Sequence, residues 1–184
     1  MKIVSSKKAK HIVVITIIII VLLIVMFNLF VDVVDIKYVA TSLNINKYEI
    51  RSNLLIDAMD NVGVCTPEEA VNVWSNGLKM RSAAMQYSVM NKELKTEYKA
   101  QLEKTFPNWV TGISSPWVDS FKITEFTKKN DSTYTFHITF TTKTSTGVAG
   151  NYNATLTIIH KQNFWRISNI SADEELFAYT GFKP

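Results

Sequence analysis

The segment TYTFHITFTTKT, residues 133–144, decides the fold class of this 184-residue chain. Large apolar side chains alternate along it with threonines and a histidine; the apolar set is Tyr134, Phe136, Ile138 and Phe140. A repeat of two residues is typical of a β-strand that has one face on an apolar core and the other in water. We therefore expect a sheet with one buried face.

Three other segments alternate in the same way and predict strands at 118–126, 151–161 and 164–170. The segments that separate the four strands are rich in turn-forming residues, as in Asn130-Asp131-Ser132. Short turns join antiparallel neighbours, so the four strands are expected to form a meander.

Helical patterns come before the first strand. Thr66-Pro67-Glu68-Glu69 combines a side-chain N-cap with proline at the first helical position and a reciprocal capping glutamate. It predicts a helix to Met80, followed by helices at 82–90 and 92–105. Gly77 inside the first helix costs about 1 kcal/mol relative to alanine, so we expect another backbone to approach it closely. Helices followed by an antiparallel sheet define an α+β domain.

An apolar run, IVVITIIIIVLLIVMFNLFV, occupies residues 12–31. Twenty helical residues extend about 30 Å, the thickness of the hydrocarbon core of a bilayer. Lysines lie before this run and Asp32 and Asp35 follow it, which predicts a cytosolic N-terminus. We expect an uncleaved transmembrane helix at 12–31. A cleaved signal peptide and a buried helix of a soluble core are the alternatives.

The rest of the domain organisation follows from the α+β pattern and the apolar run at 12–31. We predict a cytosolic head at 1–11, a connector at 32–65, a globular domain at 66–172 and a C-terminal surface tail at 173–184, with an optional short helical turn around Leu176 and Phe177. The connector contains a predicted helix at 47–61, and its apolar face is expected to dock on the domain, with a partner or the membrane surface as the alternatives. That face comprises Ile50, Leu54, Leu55, Ala58 and Met59.

The net charge of +4 does not indicate a nucleic-acid partner. Four lysines precede Asp32, and the rest of the chain holds 16 basic and 16 acidic residues. Cys65 is the only cysteine, which excludes an intrachain disulfide, and we expect it to be a small buried side chain, with an intermolecular disulfide as the alternative.

Few residues suggest catalysis. Asp119 and His160 are the only candidate acid–base pair, and each has an ordinary structural interpretation: a strand-end aspartate that accepts from a backbone N–H, and a lone strand histidine. His137 lies in phase with the threonines and is expected in solvent. No metal-ligand spacing, phosphate-binding glycine loop or nucleophile motif is present, so no metal and no cofactor are expected.

The order of helix starts and strand ends resembles the nuclear-transport-factor-2-like superfamily across about Thr66–Ile170. The segments that carry the resemblance are Thr66-Pro67-Glu68-Glu69-Ala70 with Trp74, Ser88-Val89-Met90 with Leu94, Ser115-Pro116-Trp117, and Trp165-Arg166-Ile167. The resemblance implies a cone of about three helices packed on a curved antiparallel sheet of about four strands, with a pocket inside. Trp74, Tyr87, Trp117 and Phe136 are then candidates to line the pocket, although aromatic residues at such positions are more often core.

Members of that superfamily include cyclases, isomerases, accessory domains of cell-wall enzymes and membrane-tethered scaffolds of conjugation machines. With the predicted anchor, the resemblance favours a non-catalytic scaffold or binding module on the outer side of a bacterial cell membrane. Its partner would be an envelope protein or a second copy of the chain. A small-molecule-binding sensor is the alternative, and a cyclase- or isomerase-type enzyme is less favoured.

Overall fold

The computed structural model describes residue 15 and residues 17–28 and 46–184. The chain divides into two compact units, 1–55 and 56–184. In the first unit, residues 17–28 are helical, and the large apolar side chains of 17–27 are 49–68% exposed. Among the described residues, no helix combines the length and hydropathy needed to cross a bilayer. The ends of the predicted membrane segment, the predicted head and the connector up to residue 45 lie outside the described residues.

The connector helix, α1, runs over 46–61, close to the predicted 47–61. Its C-terminal part belongs to the second unit, where Ile56 and Met59 pack against the core. Of the predicted docking face, Met59 packs against the core, whereas Leu54, Leu55 and Ala58 are exposed. The second unit therefore begins before the predicted boundary at Thr66.

Three helices follow in the predicted order: α2 at Pro67–Lys79, α3 at Ala83–Ser88 and α4 at Lys92–Thr105. The predicted cap of α2 is confirmed. The Thr66 hydroxyl accepts from the Glu69 N–H at 3.2 Å, and the Glu69 carboxylate accepts from the Thr66 N–H at 3.3 Å. The neighbouring Cys65 is exposed, so its predicted burial is wrong; its N–H also donates to the Glu69 carboxylate.

Gly77 allows α2 and α3 to meet closely, as predicted. A Cβ atom at this position would lie 2.7 Å from Cγ of Gln86 and 3.1 Å from the Ser82 carbonyl oxygen. The absence of a side chain at Gly77 therefore sets the distance between the two helices.

The sheet contains β1 at Trp117–Asn130, β2 at Thr133–Thr144, β3 at Gly147–Lys161 and β4 at Phe164–Ala172. The strands pair antiparallel in the order β1-β2-β3-β4, which confirms the α+β class and the meander. Within residues 46–184 there are six helical segments, counting one 3₁₀ turn. They are the predicted connector helix α1, the three predicted helices of the domain and two short segments after β4.

The core lies between the helices and the apolar face of the sheet. Trp74 of α2 meets Phe140 of β2 edge-to-face, with ring centroids 5.9 Å apart. On the opposite face of the sheet, threonines bond to asparagines across the strands, and Thr139 donates to Asn153 at 2.9 Å. The largest fully buried side chains are Trp74, Tyr98, Phe136, Phe140, Leu78, Met90, Leu102, Ile138, Leu156, Ile158, Ile167 and Ile170.

The optional helical turn near Leu176 and Phe177 is confirmed, but the predicted surface position of the C-terminal segment is wrong. The chain forms a 3₁₀ turn at Glu174–Leu176 and a short helix, α5, at Phe177–Thr180. Leu176 is fully buried, and Tyr179 and Phe182 are 3% and 4% exposed. Three apolar residues spaced three apart are too few to establish a period, so the sequence alone did not indicate this packing.

Candidate functional site

The structure does not bring the candidate acid–base pair together. Asp119 is near the start of β1, where its carboxylate binds Lys143 at 2.9 Å. His160 is near the end of β3, exposed, with its ring 4.9 Å from that of Trp165. Along β2, which lies between β1 and β3, the positions beside Asp119 and His160 are ten residues apart, or about 33 Å. Asp119 and His160 therefore cannot act on one substrate.

Three of the four candidate pocket aromatics are core residues. Trp74, Phe136 and Tyr87 are at most 4% exposed, and each packs against another aromatic ring. Trp117, 38% exposed, lies at the start of β1. The interior between the helices and the sheet is thus occupied by these side chains.

A polar cluster that sequence reasoning missed lies where α1, α4 and β4 meet. Lys95 of α4 is 5% exposed, and its ammonium contacts the Asp60 carboxylate at 2.8 Å and the Met59 carbonyl at 3.0 Å. Arg166 of β4 is 7% exposed, and its Nη2 atom donates to the carbonyl oxygens of Asp60 at 3.1 Å and Val62 at 3.3 Å.

These two cations cap the C-terminal end of α1. The last carbonyl groups of a helix have no partner within the helix and carry a partial negative charge. Lys95 and Arg166 supply the missing donors from two other elements of the domain. The end of α1 is therefore held to the domain by partly buried, charge-assisted hydrogen bonds.

Burial alters the acid–base chemistry of this cluster. Desolvation lowers the pKa of Lys95, and the hydrogen bond to Asp60 opposes that change. The Lys95 ammonium also lies 4.8 Å from the centre of the Tyr87 ring. Burial, assisted by the charge of Asp60, raises the pKa of Tyr87 to about 12.

A cleft of about 370 Å³ opens beside the cluster. Its charged lining residues are Lys92, Lys95, Lys161, Arg166, Asp57 and Asp60. A second cleft of about 300 Å³ shares Asp60, Lys92 and Lys95 with it. Among the described residues, no group of three or more histidine, cysteine or acidic side chains is placed to hold a metal ion.

The signal for this cluster in the sequence was weak. Lys95 directly follows Leu94, at the margin of the apolar face of α4. From the sequence alone it would be interpreted as a lysine exposed to solvent. In β4 the successive residues Arg166 and Ile167 are both buried, although they pair in regular register with Ile159 and Ile158 of β3. Strict alternation places one of two successive residues in solvent, so it could not predict a buried arginine.

No family model and no curated protein matches this chain. The structure is similar to a putative calcium/calmodulin-dependent protein kinase type II association domain from Thiobacillus denitrificans ATCC 25259, at 12% identity and a TM-score of 0.48, covering 61% of this chain and 97% of that one. It is also similar to the intermembrane space region of the chloroplast protein ARC6, at 11% identity and a TM-score of 0.41, with the same two coverages. At such scores neither similarity assigns a function to this chain.

Proposed function

We propose that this chain is a membrane-tethered, extracytoplasmic scaffold or binding module of a bacterial cell-envelope assembly, and that it is not an enzyme. In this proposal its domain belongs to the nuclear-transport-factor-2-like class. The assembly would be a conjugation, secretion or cell-wall machine, and the partner an envelope protein or a second copy of the chain.

The observation that most supports a non-catalytic role is the filled interior of the domain. Trp74, Tyr98 and Phe136 are at most 1% exposed, and all three belong to the hydrophobic core between the helices and the sheet. The support for the tether is the apolar sequence at 12–31 with lysines before it and aspartates after it.

The mechanism would be spatial. An anchor restricts the domain to a thin layer beside the membrane and raises its effective concentration for neighbours in that layer. The outer edge of β1 offers the contact, because β1 is an edge strand of 14 residues whose backbone groups pair on one side only. Phe126, at 60% exposure, adds apolar contact area on this strand.

The orientation is tested by protease treatment of intact cells that carry a tag before Met1. We expect the domain to be digested while the tag survives, because only the residues after the anchor face outward. Survival of the domain with loss of the tag would reverse the orientation and remove the proposed function.

The contact surface is tested by placing a photo-crosslinking residue at Thr124 of β1 in cells. Both Thr124 and the control position, Asn72 of α2, are exposed. We expect a discrete crosslinked protein from position 124 and none from position 72. Equal crosslinking from the two positions would contradict binding through the β1 edge.

A further inference from the structure

The 370 Å³ cleft has more positive charge than its own carboxylates balance. Its lining includes four basic side chains and two acidic ones, an excess of two positive charges. Two of the four basic residues, Lys95 and Arg166, are more than nine-tenths buried. Unbalanced charge in a partly desolvated space is unfavourable, and an anion that enters the cleft would relieve it.

The two buried cations, Lys95 and Arg166, differ in the hydrogen-bond donors that remain available to a ligand. Lys95 is matched by Asp60, whose carboxylate it contacts at 2.8 Å. Both hydrogen bonds of Arg166 leave from a single nitrogen, Nη2, and no group in the described residues accepts from its Nε or Nη1 atoms. Both atoms keep some exposure to solvent, since neither is a fully buried polar atom without a hydrogen-bond partner. Arg166 therefore keeps donors available to a molecule in the cleft.

We propose that this cleft binds a phosphate group, held by Arg166 and by Lys92 and Lys161 at its rim. A guanidinium presents a planar pair of donors that matches two phosphate oxygens. A phosphate monoester carries a charge of about −1.5 to −2 at pH 7, which corresponds to the excess charge of the lining. The volume of the cleft also admits a molecule larger than the phosphate group itself.

Two neighbouring features do not carry this proposal. The Asn91 side chain already caps α4 by accepting from the Leu94 N–H at 2.9 Å, so the site depends on side-chain cations and not on the helix end. Glu93 lies 3.4 Å from the Lys161 ammonium, but both side chains are more than half exposed, where such a pair contributes little. The proposal is also independent of the membrane tether.

The test is calorimetric titration of the full chain in neutral detergent with inorganic phosphate. A parallel titration uses glycerophosphoglycerol, the phosphodiester headgroup of a common anionic lipid. The double variant Lys92→Gln, Lys161→Gln removes the rim cations. The control, Lys122→Gln, Lys129→Gln, removes the same charge from exposed positions on β1.

We expect saturable binding of phosphate that is about tenfold weaker in the rim variant and unchanged in the control. Tighter binding of inorganic phosphate would assign the site to free phosphate or a monoester, whereas tighter binding of the diester would assign it to a lipid headgroup. Absence of saturable binding of both probes, or equal weakening in the two double variants, would overturn the proposal.

Discussion

Tyr87 shows how a single residue responds to the surroundings that the fold provides. Its side chain is 4% exposed, its ring lies under the Lys95 ammonium, and Asp60 is close enough to act on its phenol. Burial is the larger cause of its raised pKa and the charge of Asp60 the next. In the unfolded chain the same phenol is surrounded by water.

This difference predicts a loss of stability in alkaline solution. The phenol ionises near pH 10.0 when unfolded and near pH 12 when folded. Between these values the folded state holds more protons, so the free energy of unfolding decreases as the pH rises. We expect Tyr87→Phe to lose less stability than the wild type over this interval, measured by urea denaturation at successive pH values. Equal losses of stability in the variant and the wild type would show that the raised pKa of Tyr87 is not the cause.

The contact of α2 with α3 shows what one glycine does at the scale of elements. In an isolated helix, alanine is favoured over glycine by about 1 kcal/mol. At Gly77 the space for the additional methyl group is already occupied by Gln86 and by the Ser82 carbonyl. At this position tertiary packing therefore favours glycine, whereas helix propensity favours alanine.

We expect Gly77→Ala to destabilise the domain by about 1–3 kcal/mol, because overpacking outweighs the gain in propensity. The control is Asn72→Ala, an exposed position in the same helix, which should stabilise slightly through propensity alone. Urea denaturation of both variants gives the sign of each change in the free energy of unfolding. If both substitutions stabilise the protein, α3 does not restrict α2 at this position.

At the scale of the whole molecule, the end of the chain completes the core. Gln86 of α3 donates to the Tyr179 carbonyl at 3.1 Å, and Gln101 of α4 accepts from the Lys183 N–H at 2.9 Å. These bonds join residues more than 80 positions apart. The last residues therefore belong to the cooperative unit that the helices and sheet form.

Leu176→Ala tests this role. The side chain is fully buried, so we expect a loss of about 2–5 kcal/mol in the free energy of unfolding. Leu55→Ala is the matched control: its side chain is 67% exposed, and its loss should stay below about 0.5 kcal/mol. Similar losses for the two variants, measured by thermal unfolding, would show that the C-terminal segment does not stabilise the core.

The sequence by itself determined the features that depend on neighbours in the chain. The Thr66–Glu69 cap uses atoms three residues apart, and the strands were evident because alternation is a local property of extended backbone. The α+β class followed from the order of these elements. The close approach at Gly77 was also predicted, because glycine inside a helix has a cost that usually has a packing reason.

Only the tertiary structure decided the polar cleft and the burial of the C-terminus. Lys95 meets Asp60 across 35 residues, and Arg166 reaches the same residue across 106. A charged side chain stays in water unless partners are already in place, and partners so far apart in sequence leave no periodic pattern. The fold brings them together, and the cleft exists because of that arrangement.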